Sequence, residues 1–254
     1  MLDESNNSIH NSTFIIQHFN LPLIKEAVIL AGGFGTRLRP VISDLPKPLA
    51  PVNGQPFLHY VFLYLKKYGI EKVVLSVGYM AEKIEAHFGM DYHGIKVEYA
   101  YENEPLGTGG GIHLGMEKCS GAHVLALNGD TLFRVPLDQF FETHLGGSSD
   151  ATLALRKVED GSRYGTIELD GNRIAAFREK SPDVKGAALI NGGVYALRRK
   201  TYLGITEAGK AFSIENDFFA KYADKLWLQA FPCDAYFIDI GVPEDYARAQ
   251  VEMK

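Results

Sequence analysis

Between residues 30 and 48 the chain concentrates three glycines, two arginines and a lysine set between prolines. The run Leu30-Ala31-Gly32-Gly33-Phe34-Gly35-Thr36-Arg37-Leu38-Arg39-Pro40 directly follows a short apolar stretch. Glycines let a backbone approach a ligand closely and adopt conformations other residues avoid. Successive free N–H groups then form a concavity for an anion, to which arginines add charge. A dinucleotide fingerprint would need a glycine where Leu38 stands and a helix that Pro40 obstructs, and a Walker loop would need Gly-Lys-Ser/Thr. Taken alone, the glycines fit a tight connection equally well. Asp44-Leu45-Pro46-Lys47-Pro48-Leu49 is more specific. Each proline fixes its own φ and restricts the residue before it, so an ammonium placed there loses little freedom when it settles on a phosphate.

A loop of this kind has to be carried by a frame, and the surrounding text supplies one. Residues 26–31, 72–78, 95–101 and 123–130 read as buried strands, and 56–69, 81–89 and 110–118 as helices between them. This alternation predicts βαβ units, hence a Rossmann-like sheet, mixed but mostly parallel, flanked by helices. After about residue 150 the pattern turns to strands and hairpins, with Asp170-Gly171 as a turn, then a helix over 213–223, a strand at 236–241 and a final helix. The reading is one α/β domain over 25–254 with a sheet-rich second half, preceded by a polar, then apolar, extension at 1–24.

With 46% hydrophobic and 22% charged residues the composition is that of a globular protein, which excludes wholesale disorder. A net charge of −5 leaves no broad basic surface, so a nucleic-acid partner is not expected. No apolar run approaches the ~20 residues of a membrane span. The two cysteines, Cys119 and Cys233, stand far apart, and with no basic, signal-like start the expected compartment is the cytoplasm. A homo-oligomer is compatible with all of this.

Gly33-Phe34-Gly35-Thr36-Arg37 followed by Pro46-Lys47 resembles the signature of the sugar-1-phosphate nucleotidyltransferases, and the likeness runs from about Glu26 to the C-terminus. The resemblance implies a GT-A-like nucleotidyltransferase fold. It also implies the joining of a sugar 1-phosphate to a nucleoside triphosphate with release of pyrophosphate. The nucleotide site would comprise Leu30, Ala31, Gly32, Gly33, Gly35, Thr36, Arg37, Lys47, Glu102, Gly107, Thr108 and Asp130 in a half spanning about 25–135. Arg37 would meet the β- and γ-phosphates and Lys47 would bridge the reacting phosphates. Asp130 and Asp239 follow apolar strands, where an acid is ordinarily a cap or turn residue. Both match the family's metal-binding aspartates, which implies Mg2+, with Arg37, Lys47 and Asp130 as the catalytic set.

Glu102-Asn103-Glu104-Pro105-Leu106-Gly107-Thr108-Gly109 resembles the family's base-binding loop. Relatives that use thymidine or uridine nucleotides often carry Gln where Glu102 stands. A carboxylate only accepts hydrogen bonds, which suits the two neighbouring donors of guanine and favours GTP. A solvated loop acid is the plainer alternative. The sugar-phosphate side, in about 136–254, would use Gly165, Glu179, Lys180, Asn191 and Gly193. The overall wording looks closest to guanylyltransferases acting on D-glycero-α-D-manno-heptose 1-phosphate, with mannose 1-phosphate or another hexose 1-phosphate as the alternative. An inactive regulatory relative should lack Arg37, Lys47, Asp130 or Asp239, and all four are present.

Overall fold

Glu26–Leu30 forms β1, an aliphatic run buried along most of its length, and the rest of the sheet is built outward from it. The structure, a computed structural model, describes residues 24–35, 38, 42, 44–163, 165–178, 183 and 186–253. The extension expected at 1–24 lies almost wholly outside them. After β1 come a 3₁₀ turn (Lys47–Leu49), a small hairpin β2–β3 (Pro51–Val52, Gln55–Pro56), α1 (Phe57–Lys67), β4 (Lys72–Val77), α2 (Ala81–Phe88), β5 (Asp91–Tyr92) and β6 (Ile95–Tyr101). Next are α3 (Gly107–Glu117), β7 (His123–Asn128), β8 (Thr131–Phe133), α4 (Leu137–Gly146) and β9 (Ala151–Val158). The chain then adds β10 (Thr166–Asp170), β11 (Arg173–Arg178), β12 (Ala188–Arg198), α5 (Arg199–Ile205) and a π-helical segment (Ile214–Ala220). It closes with β13 (Leu228–Pro232), β14 (Phe237–Asp239) and α6 (Pro243–Glu252).

The main sheet has ten strands in the order β10-β11-β13-β9-β12-β7-β1-β4-β6-β5. Strands β7, β1, β4 and β6 form the parallel block. Strand β12 runs antiparallel to both β7 and β9, so the second half joins the first edge to edge in one sheet. The strand expected at 236–241 does not join it. Strand β14 pairs with β8 in a separate ribbon, in the register Asp239 opposite Thr131.

The strands' period of two sorts the core. Ile29, Val73 and Leu75 face a cluster shared with α1, α2, α4 and α6, whereas Val28 and Val74 face one shared with α3, α5 and the π-helical segment. Burial on both faces explains why these strands read as unbroken apolar runs. Helix α3, GTGGGIHLGME, has poor intrinsic propensity and forms because packing outweighs it. A Cβ at Gly115 would lie 2.5 Å from Val28 Cγ1, so only glycine lets the helix settle this closely on β1.

One buried polar cluster bears on stability. His144 on α4 is wholly buried, with Nδ1 2.8 Å from Thr152 Oγ1 and Nε2 2.8 Å from His123 Nδ1. Burial, and next His123, push its pKa down to about 3. The unfolded chain therefore binds a proton at His144 below about pH 6.5 that the folded chain refuses. Stability from this group is complete above that pH and declines as the pH falls toward 3. Denaturant unfolding should show about 2 kcal/mol lost from this group between pH 7 and pH 5, and His144→Gln should flatten that part of the profile. An unchanged slope in the variant would show that other groups set it.

Candidate active site

The loop after β1 is stitched to the ends of both neighbouring strands. Ala31 N donates to Ser76 O at 2.8 Å, and Gly129 N donates to Leu30 O at 2.9 Å. The loop thus borders a cavity of about 340 Å³ with Leu30, Ala31, Gly32, Gly33, Lys47, Glu102, Gly107, Thr108 and Asp130 in its wall. These are sequence-selected residues from four separate stretches, brought to the carboxyl ends of the parallel strands, where open α/β sheets place ligands. Gly35 stands outside that wall, with φ +61° and a would-be Cβ 2.8 Å from Lys47 Cγ, so it makes way for the lysine stem. Thr36, Arg37, Glu179 and Lys180 lie outside the described residues.

Lys47 opens the 3₁₀ turn after Pro46, whose backbone is extended (φ −69°, ψ 150°). From there its ammonium donates to Asp130 Oδ2 at 2.9 Å. The ribbon of β8 and β14 brings the second aspartate alongside, with Ile240 N donating to Asp130 O at 2.9 Å. Asp239 Oδ1 accepts from Gly241 N at 2.7 Å. A Cβ at Gly241 would lie 2.8 Å from Asp239 Oδ1 and 3.3 Å from Lys47 Nζ, so the ammonium sits close to both acids. Burial, and next the Asp130 charge, raise the Asp239 pKa. No group of three or more metal-binding side chains occurs among the described residues. Two neighbouring carboxylates suit Mg2+, which commonly takes one or two of them and fills the remaining positions with phosphate oxygens and water.

Glu102 closes the far side of the cavity. Its Oε1 accepts from Ser76 Oγ at 2.8 Å, and its Oε2 accepts from Leu106 N at 3.0 Å, at the entrance to α3. A would-be Cβ on Gly32 lies 2.8 Å from Oε1. Glu102 is therefore a held carboxylate lining the cavity, unlike a loop acid in free solvent.

A second cavity of about 810 Å³ opens on the other half of the sheet, lined by Gly165, Phe177, Arg178, Asn191, Glu215 and Asn216 among others. Of the five residues expected there, Gly165 and Asn191 line it. Gly193 is buried at the boundary between the cavities, with φ +73° and a would-be Cβ 2.6 Å from Asn128 Nδ2, and Asn128 lines the first cavity. Sequence reasoning did not single out Asn128 or Glu215. Asn128 is the last residue of β7, where an amide after an apolar run carries no pattern of its own. Glu215 follows Ser213, whose side chain accepts from Asn216 N, so in sequence it resembles an ordinary first-turn acid.

Residues 26–254 match the nucleotidyl transferase family, and the chain belongs to it. It is 48% identical over 229 residues to the D-glycero-alpha-D-manno-heptose 1-phosphate guanylyltransferase of Aneurinibacillus thermoaerophilus, covering 90% of this chain and 98% of that one. The enzyme of that name from Campylobacter jejuni is 43% identical, covering 87% of this chain and 96% of that one. In three dimensions the chain resembles HddC from Yersinia pseudotuberculosis, solved also as a complex with GMP-PN. That complex gives a TM-score of 0.79 at 37% identity, covering 91% of this chain and 100% of that one.

Gly107 enters α3 with φ +68°, and a Cβ there would lie 2.6 Å from Phe212 O. Gly54, in the β2–β3 turn, has φ +79° and open space around it. Gly54→Ala should cost about 1–2 kcal/mol in denaturant unfolding, the price of the left-handed conformation alone. Gly107→Ala should cost at least about 1 kcal/mol more. Equal losses would show that the backbone of Phe212 yields freely.

Proposed function

We propose that the chain transfers the guanylyl group of GTP to D-glycero-α-D-manno-heptose 1-phosphate, giving GDP-heptose and pyrophosphate. The observation that carries this reading is the Lys47–Asp130 pair at 2.9 Å, set in a cavity of about 340 Å³ beside a second, larger one. The end-to-end similarity to the guanylyltransferases of that name supports the choice of substrates. The first cavity takes GTP and the second the sugar phosphate, so the nucleotide half is about 25–135 and the sugar half about 136–254. The reaction belongs to the cytoplasm.

An oxygen of the sugar phosphate attacks the α-phosphorus in line as the bond to the β-phosphate oxygen breaks. Like charges ~4 Å apart repel by about 4 kcal/mol at an effective dielectric of ~20, so this reaction is chiefly a matter of positioning and neutralisation. Lys47 carries three N–H donors and gives one to Asp130, which aims the ammonium at the place where the two phosphates meet. Arg37 takes the β- and γ-phosphates, while Lys180 and Glu179 take the sugar phosphate and sugar hydroxyls. Asp130 and Asp239 would hold Mg2+, which when bound supplies further neutralisation of phosphate charge. Glu102 uses one lone pair on each oxygen for Ser76 and Leu106, and its remaining acceptor capacity fits the N1–H and N2–H donors of guanine.

Pyrophosphate release with magnesium, measured for GTP and UTP against heptose and mannose 1-phosphates, tests the assignment. The pair GTP and heptose 1-phosphate should give the highest kcat/KM. Glu102→Gln should lower the GTP value about tenfold, the worth of one charge-assisted contact, and leave the UTP value within about twofold. Equal losses would remove Glu102 from base selection, and silence of the wild-type protein across all pairs would overturn the guanylyltransferase reading. Lys47→Met should lower kcat/KM by about 100-fold or more with a melting temperature shifted by no more than about 3 °C. A collapse in melting temperature would make Lys47 a structural residue instead.

A further inference from the structure

Glu215 touches both halves of the site, and the direction of its hydrogen bonds explains why a carboxylate stands there. On the nucleotide side Ile214 N donates to Thr108 Oγ1 at 2.9 Å. Thr108 accepts that bond, so its hydroxyl proton points onward to Glu215 Oε2 at 2.9 Å. Ser213 Oγ donates to the same oxygen at 2.7 Å. On the sugar side Gly193 N donates to Asn191 Oδ1 at 2.9 Å, which fixes the orientation of that amide. Asn191 Nδ2 therefore donates to Tyr195 OH at 2.6 Å, and the tyrosine proton is left for Glu215 Oε1 at 3.4 Å. Burial, and next the Glu215 charge, raise the Tyr195 pKa well above its ordinary value, so the hydroxyl keeps its proton.

Two chains of donors, each fixed in direction by a backbone N–H, thus converge on one side chain. Only a group that accepts at both ends can close them, and a carboxylate does so where an amide cannot. The chains start at the two cavities: Thr108 lines the first, while Asn191 and Glu215 line the second. The surrounding backbone is tied in the same sense, with Gly109 N donating to Phe212 O at 2.9 Å and Phe212 N to Leu106 O at 3.0 Å. Glu215 also lies in a π-helical segment, a geometry that is rare and often found at functional sites.

We propose that Glu215 is a positioning residue that couples the two cavities, so that filling the first sets Thr108 and, through Glu215 and the buried Tyr195, orders Asn191 for the sugar phosphate. This rests on reading the cavities as nucleotide and sugar-phosphate sites. The coupling is reciprocal, as any linkage between binding equilibria must be.

Calorimetric titration of heptose 1-phosphate, with and without a saturating GTP analogue whose α–β bridge cannot be cleaved, measures it directly. In the wild-type protein the analogue should tighten sugar-phosphate binding at least about fivefold. Glu215→Gln should reduce that ratio to within about twofold of unity, the ratio being taken against the variant's own affinity for the sugar phosphate alone. Tyr195→Phe, which removes a single hydroxyl from the relay, should give an intermediate ratio and serves if the first variant fails to fold. A wild-type ratio near unity overturns the inference, as does a Glu215→Gln protein whose two affinities weaken together at an unchanged ratio. Failure of the guanylyltransferase reading appears separately, as the absence of pyrophosphate release by the wild-type protein.

Discussion

The Lys47–Asp130 pair is neither buried nor free: 15% of one side chain and 32% of the other are exposed. That intermediate position decides what the pair is suited to do. An exposed ion pair contributes about 0–1 kcal/mol to stability, and a buried one is often no better than an apolar replacement. Stability therefore does not explain the prolines on either side of Lys47, the glycine that makes way for its stem or the ribbon that brings Asp239 alongside. Those features make sense if the ammonium and the acids must hold their places while solvent-facing donors and acceptors stay available to a highly charged ligand. Pre-set geometry lowers the cost of ordering at the moment of binding.

The sheet topology makes this arrangement achievable. Strands β1 and β7 deliver the glycine loop and Asp130 to the same edge because they are parallel neighbours, in the register Leu30 opposite Asn128. Asp239 does not belong to that sheet, and the separate pairing of β14 with β8 supplies it. Strand β12, antiparallel beside β7, carries Gly193 and Asn191 along the other side of the same edge. Three kinds of pairing converge on one place, and a shift of one residue in any of them would turn its side chain to the opposite face.

The features that could be read from the sequence are those whose cause is local. The glycine loop, the proline-flanked lysine and the acids after apolar strands each show their chemistry within a few residues, and the βαβ rhythm shows the frame. Where long-range contacts decide, reading the sequence went less far. Helix α3 begins at Gly107, earlier than its apolar pattern suggests, because the backbone of Phe212 holds its first turn. The strand at β14 was legible and its partner was not. The helix expected over 213–223 is π-helical over Ile214–Ala220, a distinction that side-chain periodicity does not encode. Glu215 was invisible for the same reason: its partners Thr108 and Tyr195 come from distant stretches of the chain.

This division has a consequence for sugar choice. Heptose and mannose differ by one hydroxymethylene beyond the ring, and an apolar pocket discriminates such a difference by only about 1–3 kcal/mol. A site that hydrogen-bonds a hydroxyl does better, because the wrong substrate leaves buried polar groups unpaired. The second cavity offers half-buried polar side chains in Asn191 and Glu215, and both are already engaged with other residues. A hydroxyl that enters there has to match an existing pattern of donors and acceptors. On the proposed assignment of this cavity to the sugar, the hydrogen-bond directions fixed around Glu215 would weigh more in selectivity than the volume available.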